Sequence, residues 1–120
     1  MHTYAFEKLE VWQNAKELVV SIYKITSKFP VEEKFGMINQ IRRASLAIAS
    51  NIAEGSGRKT IKDQSHFYHI AYSSALEVLN QLIISNELNF LTLSDLNECR
   101  MQIEKITNKL NRLRNVLNKD

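Results

Sequence analysis

Ten consecutive residues, Ala44 to Ala53, carry no charge, and they lie between an arginine pair, Arg42 and Arg43, and the break at Glu54-Gly55. A run of that length offers no charged face to open water, so most of its circumference must be covered by other parts of a fold. Its Ala and Ser residues alternate with Leu and Ile, and small side chains let a neighbouring helix approach closely. A buried helix that ends in a charged, glycine-containing turn meets both demands. Few other residues interrupt the chain, since its 120 residues include three glycines and one proline. Leu, Ile, Ala, Asn, Glu and Lys dominate, which favours long helices over strands and turns. The expected class is all-α, with one domain over residues 1–120 that is large enough to bury a core without disulfides or metal.

Periodicity divides the chain into four helices. Val11, Ala15, Leu18, Ile22, Ile25 and Phe29 recur at spacings of four and three, with Trp12, Val19 and Tyr23 beside them, and predict a helix over about 6–28. Pro30 stops it and suits the first turn of a second helix, about 31–54, with Glu32 and Glu33 at its positive end. Ile38, Ile41, Ser45, Ile48 and Ile52 form the seam of that helix, and Gly55 or Gly57 is expected to close it in a left-handed conformation. Thr60 and Asp63 resemble a capping box that opens a third helix over 60–88, whose expected inner face is Phe67, Ile70, Ala71, Ser74, Val78, Leu82 and Ser85. Phe90 and Leu91 are expected to fold over the end of the core. A fourth helix, 94–118, carries the seam Leu96, Cys99, Ile103, Ile106, Leu110, Leu113 and Leu117. Four such helices joined by short connections predict an antiparallel up-down-up-down four-helix bundle. Helices two and three hold too little charge for a full polar face, which points to burial against other subunits.

The formal charge of +3 makes nucleic acid a reasonable partner, although the same balance is common in proteins that never bind it. One cysteine, Cys99, rules out an intramolecular disulfide and fits a reducing compartment. The N-terminus lacks the features of a signal peptide, and the longest uncharged segment, Gln64 to Leu76, is too polar to span a bilayer. The expected location is the cytoplasm, with no membrane association.

Two basic groups are candidate nucleic-acid contacts. Lys105, Lys109, Arg112, Arg114 and Lys119 load the last helix, with Lys105, Arg112 and Lys119 in one column and Lys109 beside it. Such a stripe suits successive phosphates, yet cations are also favourable at any helix C-terminus. Arg58, Lys59 and Lys62 lie where unpaired amides open the third helix, a place for an anion or merely a capped, soluble turn. GSGRKT does not have the glycine spacing of a nucleotide-binding loop, and no strand precedes it. Arg42, Arg43 and Glu77 are lone charges in charge-poor helices, so a structural or interface role is expected. Arg42 is the favoured buried partner of Glu77, and Arg43 the residue for an intrahelical or intersubunit contact. Asp63, His66 and His69 recur at spacings of three, but nothing completes a ligand set, so no metal and no cofactor is expected. Tyr68 and Tyr72 suit either base stacking or packing, and Trp12 is expected in the core. No nucleophile, general base and orienting group occur together, so no enzymatic activity is expected.

The series F-x-x-L-x-V-W-x-x-A (Phe6 to Ala15), I-Y-x-x-T-x-x-F-P (Ile22 to Pro30), F-G-M-x-x-Q-I-R-R-A (Phe35 to Ala44) and S-N-I-A-E-G-x-G-R (Ser50 to Arg58) continues into F-Y-H-I-A (Phe67 to Ala71). Together these resemble the four-helix bundle family whose members include proteins encoded within intervening sequences of 23S ribosomal RNA genes. The resemblance implies a ring-shaped homopentamer, similar to the accessory variability protein of diversity-generating retroelements, a nucleic-acid-binding relative. Two functions are therefore carried forward: a pentameric bundle that binds RNA or DNA, single strands in particular, through its phosphates, and an oligomeric scaffold that recruits a protein partner.

Overall fold

The computed structural model describes residues 1–118. Four helices, α1 (Glu10–Thr26), α2 (Met37–Ser56), α3 (Ile61–Glu87) and α4 (Leu93–Leu117), are accompanied by short 3-10 turns at Ala5–Lys8 and Val31–Glu33. Each helix packs on its neighbours in sequence and α1 closes against α4, while the diagonal pairs α1–α3 and α2–α4 stay apart. This is the expected all-α, up-down-up-down four-helix bundle, 47 Å along its longest dimension.

Two of the expected helix starts differ. Phe6 belongs to the first 3-10 turn, and Leu9 is extended (φ −75°, ψ 124°), so α1 begins at Glu10. The turn is closed by the backbone N–H of Tyr4 donating to the Glu7 carboxylate at 2.8 Å, and its Phe6 ring meets Trp12 of α1 edge-on at 5.0 Å. Trp12 is accordingly half-buried at the rim of the core. Pro30 precedes the second 3-10 turn, and α2 begins at Met37. Glu33 therefore meets the α2 dipole from outside the helix, its carboxylate accepting the Met37 N–H at 3.2 Å.

The helix ends also depart from expectation. No described glycine adopts a positive φ, and Gly55 lies within α2. Its need for glycine is steric, because a Cβ there would stand 2.8 Å from Tyr68 Cε1 and 3.0 Å from Phe67 Cβ. The left-handed residue is Asn89 (φ 64°), which ends α3 by turning the chain so that the Phe90 N–H donates to the Ser85 carbonyl at 2.9 Å. Leu91 is then buried, and Phe90 packs on Phe29 at 5.7 Å between ring centroids, closing that end of the core as expected. Thr60 accepts the Asp63 N–H at 3.1 Å, and Thr92 caps α4 through the Asp95 N–H at the same distance.

The core contains the expected seams of α1, α2 and α4 with local shifts. Thr26, rather than Ile25, completes the buried row of α1, and Leu113 and Leu117 are half-buried where α4 outruns its neighbours' cover. Ala71, Val78, Leu82 and Ser85 of α3 are buried as expected, but the rest of the face is shifted. Tyr68, Ala75 and Gln81 are buried, while Phe67, Ile70 and Ser74 are half-buried. Tyr68 is thus a packing residue, seated against Gly55, and its hydroxyl is pushed above its ordinary pKa by burial.

Candidate functional site

The antiparallel order brings the start of α1, the α2–α3 turn and the final turns of α4 to one end of the bundle. Both groups of candidate basic residues therefore share that end, although some forty residues or more of sequence separate them. Residues 1–14, 51–66 and 104–118 hold eight basic side chains (Lys8, Arg58, Lys59, Lys62, Lys105, Lys109, Arg112, Arg114) against five acidic ones (Glu7, Glu10, Glu54, Asp63, Glu104). Towards the opposite end, residues 20–43 and 77–100 hold six basic side chains (Lys24, Lys28, Lys34, Arg42, Arg43, Arg100) against six acidic ones (Glu32, Glu33, Glu77, Glu87, Asp95, Glu98). The bundle is therefore electrically polarised along its axis, with the basic end the natural one to face an anion.

The basic side chains are not equivalent. Lys59, Lys62, Lys105 and Arg112 are exposed. Arg58 is directed back onto its own turn, pairing with Glu54 at 3.1 Å and lying over the Phe67 ring at 4.4 Å. It therefore does not converge with Lys59 and Lys62 on the first amides of α3, where Thr60 already accepts one N–H and Asp63 adds negative charge. Lys109 forms an ion pair with Glu10 and donates to Asn14 Oδ1 at 2.7 Å. Arg114 is half-buried, and Lys119 lies outside the described residues. The hydrogen bond from Lys109, and then its charge, hold the Glu10 carboxyl below its ordinary pKa, with smaller contributions from Arg112 and Lys105. Sequence reasoning missed Glu10 and Asn14 because each lies more than ninety residues from Lys109.

The lone charges of α2 and α3 are arranged differently from expectation. Arg42 does not pair with Glu77. Its Nε donates to Thr26 Oγ1 at 2.9 Å, Nη2 donates to the Tyr23 carbonyl at 3.4 Å, and the guanidinium lies 4.4 Å from the centroid of the Tyr23 ring. The reason is position: Arg42 lies on the α1 side of α2, where the last carbonyls of α1 attract a cation, whereas Glu77 belongs to α3. Thr26 also donates to the Ile22 carbonyl at 2.6 Å, so one buried hydroxyl links the two helices. Glu77 accepts from Gln81 Nε2 at 3.2 Å. Arg43, not Arg42, shares a surroundings with Glu77, both lining a surface recess of about 400 Å³ with Asn39, Gln40, Ala44 and Ala47.

His66 and His69 are exposed and His66 lies edge-on to Phe67, while Tyr72 is half-buried against the core. Among the described residues no three His, Cys, Asp or Glu side chains are grouped to hold a metal ion. Cys99 is buried, and burial pushes its thiol up to about 11, so it remains protonated at neutral pH. Among the described residues no helix is long and apolar enough to cross a membrane.

Fold and charge together define a small helical bundle with a polarised axis and a low-charge outer face on its central helices. The chain belongs to the 23S rRNA-intervening sequence protein family, whose model matches residues 7–112 and so includes every candidate basic residue except Arg114 and Lys119. A similar fold is found in the crystal structure of a protein of unknown function from the S23 ribosomal protein family of Bacteroides thetaiotaomicron, with a TM-score of 0.78 and 22% sequence identity over 87% of this chain and 97% of that one. No curated protein matches the sequence.

Proposed function

We propose that this protein is a cytoplasmic, non-enzymatic, oligomeric bundle that binds nucleic acid, RNA or single strands, through the phosphate backbone at its basic end. The observation that carries this reading is that Lys59, Lys62, Lys105 and Arg112 are all exposed and belong to segments that the helix order brings towards one end of the molecule. Backbone neutralisation by such residues releases counterions, so affinity for a single-stranded RNA should fall steeply with salt. Replacing those four residues with glutamine is expected to flatten the logarithmic salt slope by about 0.7 for each phosphate contact removed. Absence of binding to RNA and to single-stranded DNA at low salt would sink the reading.

Oligomerisation is supported by the exposed apolar side chains of α2 and α3, Leu46, Leu76 and Ile83, which are 43%, 48% and 37% exposed, and by Arg43 and Glu77 in the recess between the two helices. A subunit face is the usual cover for such a surface, and a pentameric ring would repeat the basic end around one axis. Sedimentation at micromolar concentration is expected to give a pentamer, with Leu76→Glu shifting the population towards monomer; a monomeric wild type removes this part of the reading. A scaffold that recruits a protein partner is the second reading, favoured by Val31 and Phe35 at the opposite end, which are 77% and 87% exposed. Recovery of one defined partner after nuclease treatment, together with no nucleic-acid binding, would select it.

A further inference from the structure

Lys109 of α4 holds the carboxylate of Glu10 in the first turn of α1, and Lys105 and Arg112 flank Lys109 on the same helix, four residues before it and three after it. Lys109 is the anchored member, because its side chain is only 18% exposed and is fixed by both Glu10 and Asn14. Arg112 lines the same groove of about 410 Å³, whose apolar part comes from Leu9, Val11, Leu113 and Val116. Lys105, four residues before Lys109 on α4, acts on Glu10 through its charge, as Arg112 does. The Glu10 side chain, by contrast, is 79% exposed. Lys109 therefore belongs to a packed seam, flanked by the exposed Lys105 and Arg112, while the anion reaches in from solvent. An exposed ion pair is weak and loses little when its anion is exchanged. A phosphate group offers the same kind of acceptor oxygens to the same donors, and a nucleic-acid strand offers several at once.

We propose that Lys105, Lys109 and Arg112 form a phosphate site that the protein keeps filled with its own Glu10, and that a nucleic-acid phosphate binds by displacing this carboxylate. The proposal rests on the nucleic-acid reading given above and adds a regulating element to it. Glu10 raises the threshold for binding, so that an isolated phosphate competes poorly and a strand of several phosphates competes well. Asn14 keeps Lys109 in place during the exchange, since its hydrogen bond does not depend on Glu10.

The test compares wild type, Glu10→Gln and Glu17→Gln. The last removes the same charge from an exposed position further along α1 and controls for net charge. Two probes are titrated at fixed salt, a fluorescein-labelled single-stranded RNA and inorganic pyrophosphate, with thermal melts of each variant to establish folding. Glu10→Gln is expected to tighten RNA binding about fivefold, the scale of losing one weak competing ion pair, while Glu17→Gln changes it less than about twofold. RNA that binds wild type and Glu10→Gln equally, or binds both substitutions equally better, overturns the proposal. If RNA binds none of the proteins but pyrophosphate binds Glu10→Gln more tightly than wild type and Glu17→Gln, the nucleic-acid reading fails and the self-occupied anion site stands. If neither probe distinguishes Glu10→Gln from wild type, the site is overturned as well.

Discussion

Ile48→Ala is expected to destabilise the protein by about 3 kcal/mol, within the usual range for removing a buried aliphatic side chain to its Cβ. Ile48 is completely buried and lies at the middle of the charge-free run of α2. Two terms add in the same direction. The lost carbons no longer leave water on folding, and the space they occupied persists because the flanking helices are fixed by their own buried rows. For a chain of this length a loss of that size should lower the melting temperature by about 10 °C. Ala47→Ser, about 100° round the helix from Ile48 and half-buried, should by comparison change stability by less than about 0.5 kcal/mol. Equal melting temperatures for Ile48→Ala and wild type would mean that α2 is not the buried centre of the bundle.

Much of that architecture is legible in the sequence because burial here follows a simple period. Val11, Ala15, Leu18 and Ile22 in α1, and Leu96, Cys99, Ile103, Ile106 and Leu110 in α4, are all buried where the spacing puts them. Each of these helices has one apolar stripe and a polar remainder, so the pattern has a single solution. α3 is legible only in part: Ala71, Val78, Leu82 and Ser85 are buried where expected, but Phe67, Ile70 and Ser74 are half-buried and Tyr68, Ala75 and Gln81 take the core. Apolar or small side chains stand next to one another round the helix, as Phe67 beside Tyr68 and Ser74 beside Ala75, and with Glu77 as its one charge between Asp63 and Glu87 the helix has no polar face to fix its rotation closely. The deciding contact is the approach of Tyr68 to Gly55, which only the assembled α2–α3 pair contains. Likewise the left-handed C-terminal residue is Asn89 and not a glycine, because the turn after α3 needs a positive φ while the end of α2 does not.

The site was legible as a list of basic residues but not as an arrangement. Local chemistry marks Lys59, Lys62, Lys105 and Arg112 as surface cations, which they are. It does not reveal that Arg58 is turned onto Glu54 and Phe67, or that Lys109 is engaged by Glu10 and Asn14. Arg42 departs from its expected pairing for the same reason. An arginine in a charge-poor helix needs compensation, and a carboxylate was the obvious supplier. The end of α1 supplies it instead, through the Tyr23 carbonyl and ring and the Thr26 hydroxyl, groups that carry no formal charge. A charge count is blind to such partners, although Thr26 lies four residues beyond Ile22 on the buried row.

Gly55→Leu is expected to be as damaging as the Ile48 substitution, even though it adds apolar surface and improves intrinsic helix preference. Two effects oppose each other at this position. Replacing glycine within a helix with a side chain that favours helix gains about 1 kcal/mol. Against this, the first added carbon already meets Tyr68 Cε1 at 2.8 Å and Phe67 Cβ at 3.0 Å. Tyr68 is 3% exposed and cannot swing away, and the Phe67 Cβ moves only with the α3 backbone. Overpacking of this kind costs about 1–3 kcal/mol for modest additions, so Gly55→Ala should lose about 1 kcal/mol net. The further carbons of leucine have no space short of separating α2 from α3, and the loss should reach about 3 kcal/mol. Gly57→Ala is the matched control, because a Cβ there would make only an ordinary 3.6 Å contact with the Glu54 carbonyl and the backbone is already right-handed. Thermal melts of the three variants should therefore rank Gly57→Ala near wild type, Gly55→Ala below it and Gly55→Leu about 10 °C lower. A Gly55→Leu protein that melts with wild type would mean that the two central helices stand further apart than the Tyr68–Gly55 contact requires.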